Sequence, residues 1–222
     1  MMWTKREQVL MWITAYIPLL IVMFSGFIYH NDLLPAGLTK EKLEEMFTRW
    51  WIVELVFLVT VLLISLALYR LVIWWLLRGL EERLADRTIG REVSIRQYEK
   101  ISVNDYTFFL LTLLLPQIVV DYSSVVNLTV SMFIIIFIIT VYVKTDSIAT
   151  CPLFFVSGRQ VYQGVISNRS RDEEEANPDV RLKAVLIVRE KDMNLDIKYR
   201  AQVLVSNVYM IRPVYKGEQE DV

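Results

Sequence analysis

Four polar side chains sit inside or beside long apolar runs, and they are the first place to look for chemistry: Glu54, Gln117, Asp121 and Asn127. Gln117 and Asp121 are spaced i,i+4, so on a helix they share one face. Ser124, Asn127 and Ser131 share a face of the next run. A convergence of these groups would form a water-accessible sensing or conducting site, because ionisable groups at membrane depth are functional candidates by default. The plainer reading is hydrogen bonding between helices. For Glu54, four residues beyond Trp50 and so about 6 Å deeper, the plainer reading is contact with lipid headgroups.

Other chemistry has little to work with. The chain contains no glycine-rich phosphate loop, no GxSxG, no HExxH and no CxxC. Its single Cys, Cys151, rules out an intrachain disulfide, and with only His30 beside it there is no Cys- or His-rich metal site. A Cys–His pair would have to join residues that the topology below places on opposite sides of a membrane. The expectation is a non-enzyme without metal or cofactor.

The elements that must hold these residues follow from the apolar blocks. Of the 222 residues 55% are hydrophobic, against ~45–50% in a soluble domain. Val9–Tyr29 carries no charge and is long enough to cross the ~30 Å hydrocarbon layer. Trp50–Leu77 has a Trp pair near each end, Trp50/Trp51 and Trp74/Trp75, separated by roughly 36 Å of helix, which suits two interfacial belts. Arg70, one turn inside the second belt, can snorkel outward. Tyr106–Asp121 and Val125–Val143 form a hairpin around the turn DYSS, with Pro116 as a kink. The expected fold is therefore an integral membrane α-helical domain of four transmembrane helices (1–145; passes about 9–29, 50–77, 106–121 and 125–143). A small C-terminal cytoplasmic β domain (146–222) completes it. Leu38–Trp50 reads as a short outer helix behind an N-cap at Thr39. Lys and Arg number three in the loop 30–49, six in the loop 78–105 and twelve from Lys144 onward. The positive-inside rule then puts both termini and the 78–105 loop in the cytoplasm.

After the last pass the chain reads CPLFFVSGRQVYQGVIS (Cys151–Ser167). It is too short and too broken for a fifth pass, so Phe154–Ser167 is expected as the first strand of a small barrel or curled sheet of three to five strands. Gly158 and Gly164 would mark bulges or close backbone approaches. Val180–Glu190 and Leu195–Val214 are rich in Val, Ile and Tyr and alternate in part, as strands do. REVSIRQYEKIS (Arg91–Ser102) alternates more weakly and reads as an extended linker. The tail's cations are matched by its acids, so it is no nucleic-acid patch on charge alone; some of them could hold anionic lipid.

Four passes, cytoplasmic ends, a basic inner loop and a β tail opening on Pro152-Leu153-Phe154, then Gly158, then Tyr162 on a strand resemble the KwaA family, the membrane subunit of the bacterial Kiwa anti-phage system. Cys151 stands where that family more often has Asn, and Arg159 where it more often has an aromatic. The resemblance implies an inner-membrane sensor and scaffold that forms a homo-oligomer, a tetramer by analogy. It implies a cytoplasmic DNA-binding effector, KwaB, as partner, with no direct nucleic-acid binding by this chain. The inner loop and tail would be the docking surfaces, with Arg83, Arg87, Phe155, Arg159 and Tyr162 as the residues to watch. The rival reading is a pore-forming effector conducting ions through the polar stripe. Against it, the inner half of the fourth pass, FIIIFII, offers no polar path.

Overall fold

The computed structural model describes residues 3–31, 33, 50–86, 88–101, 103–119, 124–169, 173, 176, 180–189 and 193–214. Helix α1 spans Lys5–His30, α2 Trp50–Ala85, α3 Val103–Val119 and α4 Val125–Lys144. Strand β1 (Arg91–Lys100) lies between α2 and α3 in the chain. After α4 come a 3₁₀ turn (Ile148–Thr150), a one-turn helix α5 (Leu153–Val156), β2 (Gln160–Ser167), β3 (Leu182–Val188), β4 (Lys198–Val205) and β5 (Val208–Pro213).

Among the described residues three helical stretches are long and apolar enough to cross a membrane: Lys5–His30, Leu55–Ala85 and Val125–Lys144. The third expected pass is a helix of 17 residues, about 25 Å long and so shorter than the ~30 Å hydrocarbon layer. The first expected pass and its charged lead-in form one helix from Lys5, and the second expected pass runs without a break into its charged extension as far as Ala85. The expected outer helix at Leu38–Trp50 and the DYSS turn lie outside the described residues, save Trp50 and Ser124.

The helix core follows from spacing. Met11, Trp12, Ala15, Tyr16, Leu19 and Met23 recur at three- and four-residue intervals on α1 and are buried. They pack in one cluster with Ile135, Ile138, Ile139 and Tyr142 of α4. Trp12 stacks on Tyr142, with ring centroids 4.1 Å apart. On α2 the outward side is left apolar and exposed from Leu55 through Leu66, as lipid contact requires.

The strands close into a barrel in the order β1-β2-β3-β5-β4. All neighbours are antiparallel except β3 and β5, which are parallel, and β1 pairs with both β2 and β4. This is the strand order of OB-type Greek-key barrels. Two expectations are corrected here. Arg91–Ser102 is not a linker: its Val93 and Ile95 are buried inside the barrel, and the strand supplies the closing edge. Phe154–Ser167 is not one strand: Leu153–Val156 turns as helix α5, and Gly158, at φ +73°, carries the chain into β2 at Gln160. Gly164 is a close approach, as expected. A Cβ there would stand 2.8 Å from the Gln97 carbonyl oxygen and 2.9 Å from Leu186 Cδ1.

The barrel has two apolar faces. Tyr162, Ile166, Leu186, Tyr199 and Ile211 fill its interior. Val161, Ile187, Leu204, Val208 and Met210 point outward and share one buried cluster with Leu80 and Leu84 of α2 and Leu153 and Phe154 of α5. The barrel is thus packed onto the extension of α2.

Candidate functional site

A set of described contacts ties the helix ends to one another and to the barrel. The chain ahead of α1 is tied to β4. The ladder between β4 and β5 skips Leu204, which sits in a bulge between Val203 and Val205, and the Trp3 N–H donates to the Leu204 carbonyl at 3.1 Å. The Trp3 ring stacks on Phe154, centroids 6.5 Å apart. Two residues further on, Lys5 Nζ donates to the Val143 carbonyl at 2.7 Å and to Asp146 Oδ1 at 2.6 Å. Gln8 Nε2 reaches the same Asp146 oxygen at 3.1 Å. These bonds hold the Asp146 carboxyl below its usual range, the hydrogen bond from Lys5 being the largest cause. Asp146 itself has φ +53°, so the end of α4 is a left-handed turn pinned to α1.

A second tie joins α2 to the start of β2. Arg159 Nε donates to Glu81 Oε1 at 3.1 Å, and its Nη2 donates to the same oxygen. The arginine side chain is 11% exposed and the glutamate 29%, so the pair is partly desolvated. Cys151, fully buried beneath α5, has its thiol pushed up to about 12 by burial, which makes it an inert packing residue.

Inside the bundle hydroxyls from α1, α3 and α4 approach one another. Thr112 Oγ1 is 3.4 Å from the Tyr16 hydroxyl and 3.2 Å from the Tyr142 hydroxyl. Tyr69 donates to the Ala15 carbonyl at 2.9 Å. Beside it the Trp12 Nε1 is buried with no acceptor among the described residues. Sequence reading missed this cluster, because Tyr and Thr scattered over four helices carry no spacing signal.

Of the four candidates Glu54, Gln117, Asp121 and Asn127, Asn127 alone has its side chain among the described residues. Glu54 and Gln117 lie on α2 and α3, and nothing is described of their side chains; Asp121 lies outside the described residues. Asn127 is half-buried near the start of α4, where its N–H donates to the Ser124 hydroxyl at 3.4 Å. Ser131 is buried and donates to the Pro116 carbonyl at 3.4 Å, a bond between α4 and α3. Of the docking candidates, Arg83 is exposed on the α2 extension, Arg87 lies outside the described residues, and Phe155 is placed only as part of α5. Arg159 is engaged by Glu81. Tyr162 is inside the barrel, edge-on to Tyr98 at 5.4 Å between centroids.

An open groove of about 710 Å³ is lined by Arg70, Trp74, Arg78, Glu81 and Glu82 of α2, the Ser157–Gly158 turn, Arg159, and Arg189 just after β3.

The fold and this junction define a class: a bundle of membrane-length helices carrying a closed five-stranded barrel that is stitched to the helix ends. No curated protein and no solved structure matches the chain. A family model does, the one described as anti-phage protein KwaA, over residues 7–210, and the chain belongs to that family. Its role is thereby in anti-phage defence.

Proposed function

We propose that this chain is the membrane sensor and scaffold of its anti-phage complex and not an enzyme. Four helices cross the bacterial inner membrane, α3 as the short third pass, with both ends and the barrel in the cytoplasm. Copies of the chain form a homo-oligomer. The α2 extension and barrel dock a cytoplasmic DNA-binding effector of the KwaB kind, so that nucleic acid is handled by the partner. Arg83 and Arg87 belong to the docking surface, with Phe155 and Arg159 at the membrane exit. Tyr162 acts by supporting the β2 wall from inside.

The observation that supports this reading is the stitching of barrel to bundle. Trp3 is bound to β4, Lys5 to the end of α4, and Glu81 of α2 to Arg159 before β2. A shift in helix packing that moves α1 or α2 therefore displaces barrel strands directly. Such a device signals when two packings lie close in energy.

The test is to tag the C-terminus, co-express the full chain with its genomic neighbours, crosslink, and identify what co-purifies by mass spectrometry. A soluble DNA-binding protein recovered in fixed ratio, and reduced at least tenfold by Arg83→Glu, supports docking. Recovery of this chain alone defeats it.

A further inference from the structure

We propose that the arginine groove beside α2 binds the phosphate of an anionic phospholipid, with the acyl chains lying along the same face of the helix. Leu63, Leu66, Arg70, Trp74 and Arg78 follow one another at steps of three or four residues, so they form a single stripe on α2. Leu63 and Leu66 are exposed in the apolar stretch, and Trp74 is exposed where the belt ends. Arg70 lies within the membrane-length segment Leu55–Ala85, about 12 Å of helix before Arg78. The stripe therefore runs from bare hydrocarbon-compatible surface to a cluster of cations. That profile fits an amphiphile better than a soluble anion.

The charges in the groove do not cancel. Arg159 is taken by Glu81. Arg78 lies 3.9 Å from Glu82 in an exposed pair and stacks over Trp74 at 4.7 Å, which fixes its guanidinium at the groove wall. Among the described residues no acidic side chain lies within salt-bridge reach of Arg70 or Arg189. A planar guanidinium matches a phosphate with two parallel N–H···O bonds, and juxtamembrane cations are a standard headgroup site. The groove volume of about 710 Å³ is ample for a glycerophosphate headgroup.

This inference needs α2 to lie in a membrane but not that the chain docks an effector, so the two tests fail separately. The full chain, purified in mild detergent, is titrated with phosphatidylglycerol, phosphatidylcholine and soluble glycerol phosphate, bound ligand being read by native mass spectrometry. Phosphatidylglycerol is expected to bind most tightly. Arg70→Gln/Arg189→Gln should weaken it about 30-fold, while Lys183→Gln, exposed on β3 and outside the groove, leaves it unchanged. Equal binding by the double variant, or equal binding of phosphatidylcholine, overturns the site. Glycerol phosphate binding as tightly as phosphatidylglycerol overturns the lipid and assigns the groove to a soluble phosphate. If the glutamine variant does not fold, Arg70→Lys/Arg189→Lys keeps the charge but loses the fork. A roughly tenfold loss is then expected, and no loss overturns the proposal.

Discussion

At the scale of single residues, the junction depends on a few charge-assisted bonds with separable effects. Asp146 accepts from Lys5 and Gln8, and its folded pKa is depressed by them. A depressed carboxyl stabilises the fold above its ordinary pKa and loses that contribution as pH falls through the lowered folded value. The tie between α1 and α4 should therefore hold at neutral pH and loosen below about pH 4. Asp146→Asn keeps the left-handed turn, which Asn tolerates, and removes the charge. Protection factors for amides over Lys5–Gln8, which take out the intrinsic pH dependence of exchange, should fall in acid for the native chain and be low and unchanged with pH in the variant; identical profiles would rule the tie out. Glu81→Ala strands the nearly buried Arg159 guanidinium, at a cost of about 2 kcal/mol, less than for a fully buried pair. Adding Arg159→Met should restore most of the lost melting temperature in detergent.

At the scale of elements, the helices were legible because each announces itself within its own residues: an uninterrupted apolar run, paired Trp at the belts, Arg clustered on one side. The corrected elements are the ones whose identity depends on distant partners. In REVSIRQYEK only Val93 and Ile95 are buried while their polar neighbours face out, and the strands they pair with begin at Gln160 and Lys198. Local alternation is too weak to reveal such a strand. Leu153–Val156 reads as strand from composition, yet its Leu153 and Phe154 must meet α2 and Trp3, and a single helical turn presents both to that cluster. The Arg159–Glu81 pair was illegible for the same reason, its members standing 78 residues apart. Gly164, by contrast, was readable as a point of close approach. Gly164→Ala should cost about 1–3 kcal/mol by pushing β2 off Gln97 and Leu186, seen as a lower melting temperature. An unchanged melt would show that β1 is free to shift.

At the scale of the whole molecule, the barrel and the bundle are interleaved rather than joined end to end. Four of the barrel strands follow α4, but the fifth, β1, precedes α3. The tail 146–222 expressed alone lacks the strand that pairs with both β2 and β4, so it should show no cooperative thermal transition; a sharp one would mean that the barrel closes without β1. The OB-type order carries a further difference. In such barrels the β2–β3 face commonly takes ligands, whereas here Val161, Val185 and Ile187 on that face pack toward the helices. The same interleaving dictates a timetable for biogenesis. On the ribosome, β1 is made first and then waits while α3, α4 and the remaining strands are translated. From Lys100 to Pro213 that wait is roughly 6–20 s at ordinary elongation rates. Throughout it β1 is an unpaired edge in need of protection, and a chain whose α3–α4 pair fails to pack cannot bring β1 and β2 into register. Barrel closure thus depends on how α3 and α4 are packed, because β1 and β2 flank them in the chain and must meet to close the sheet.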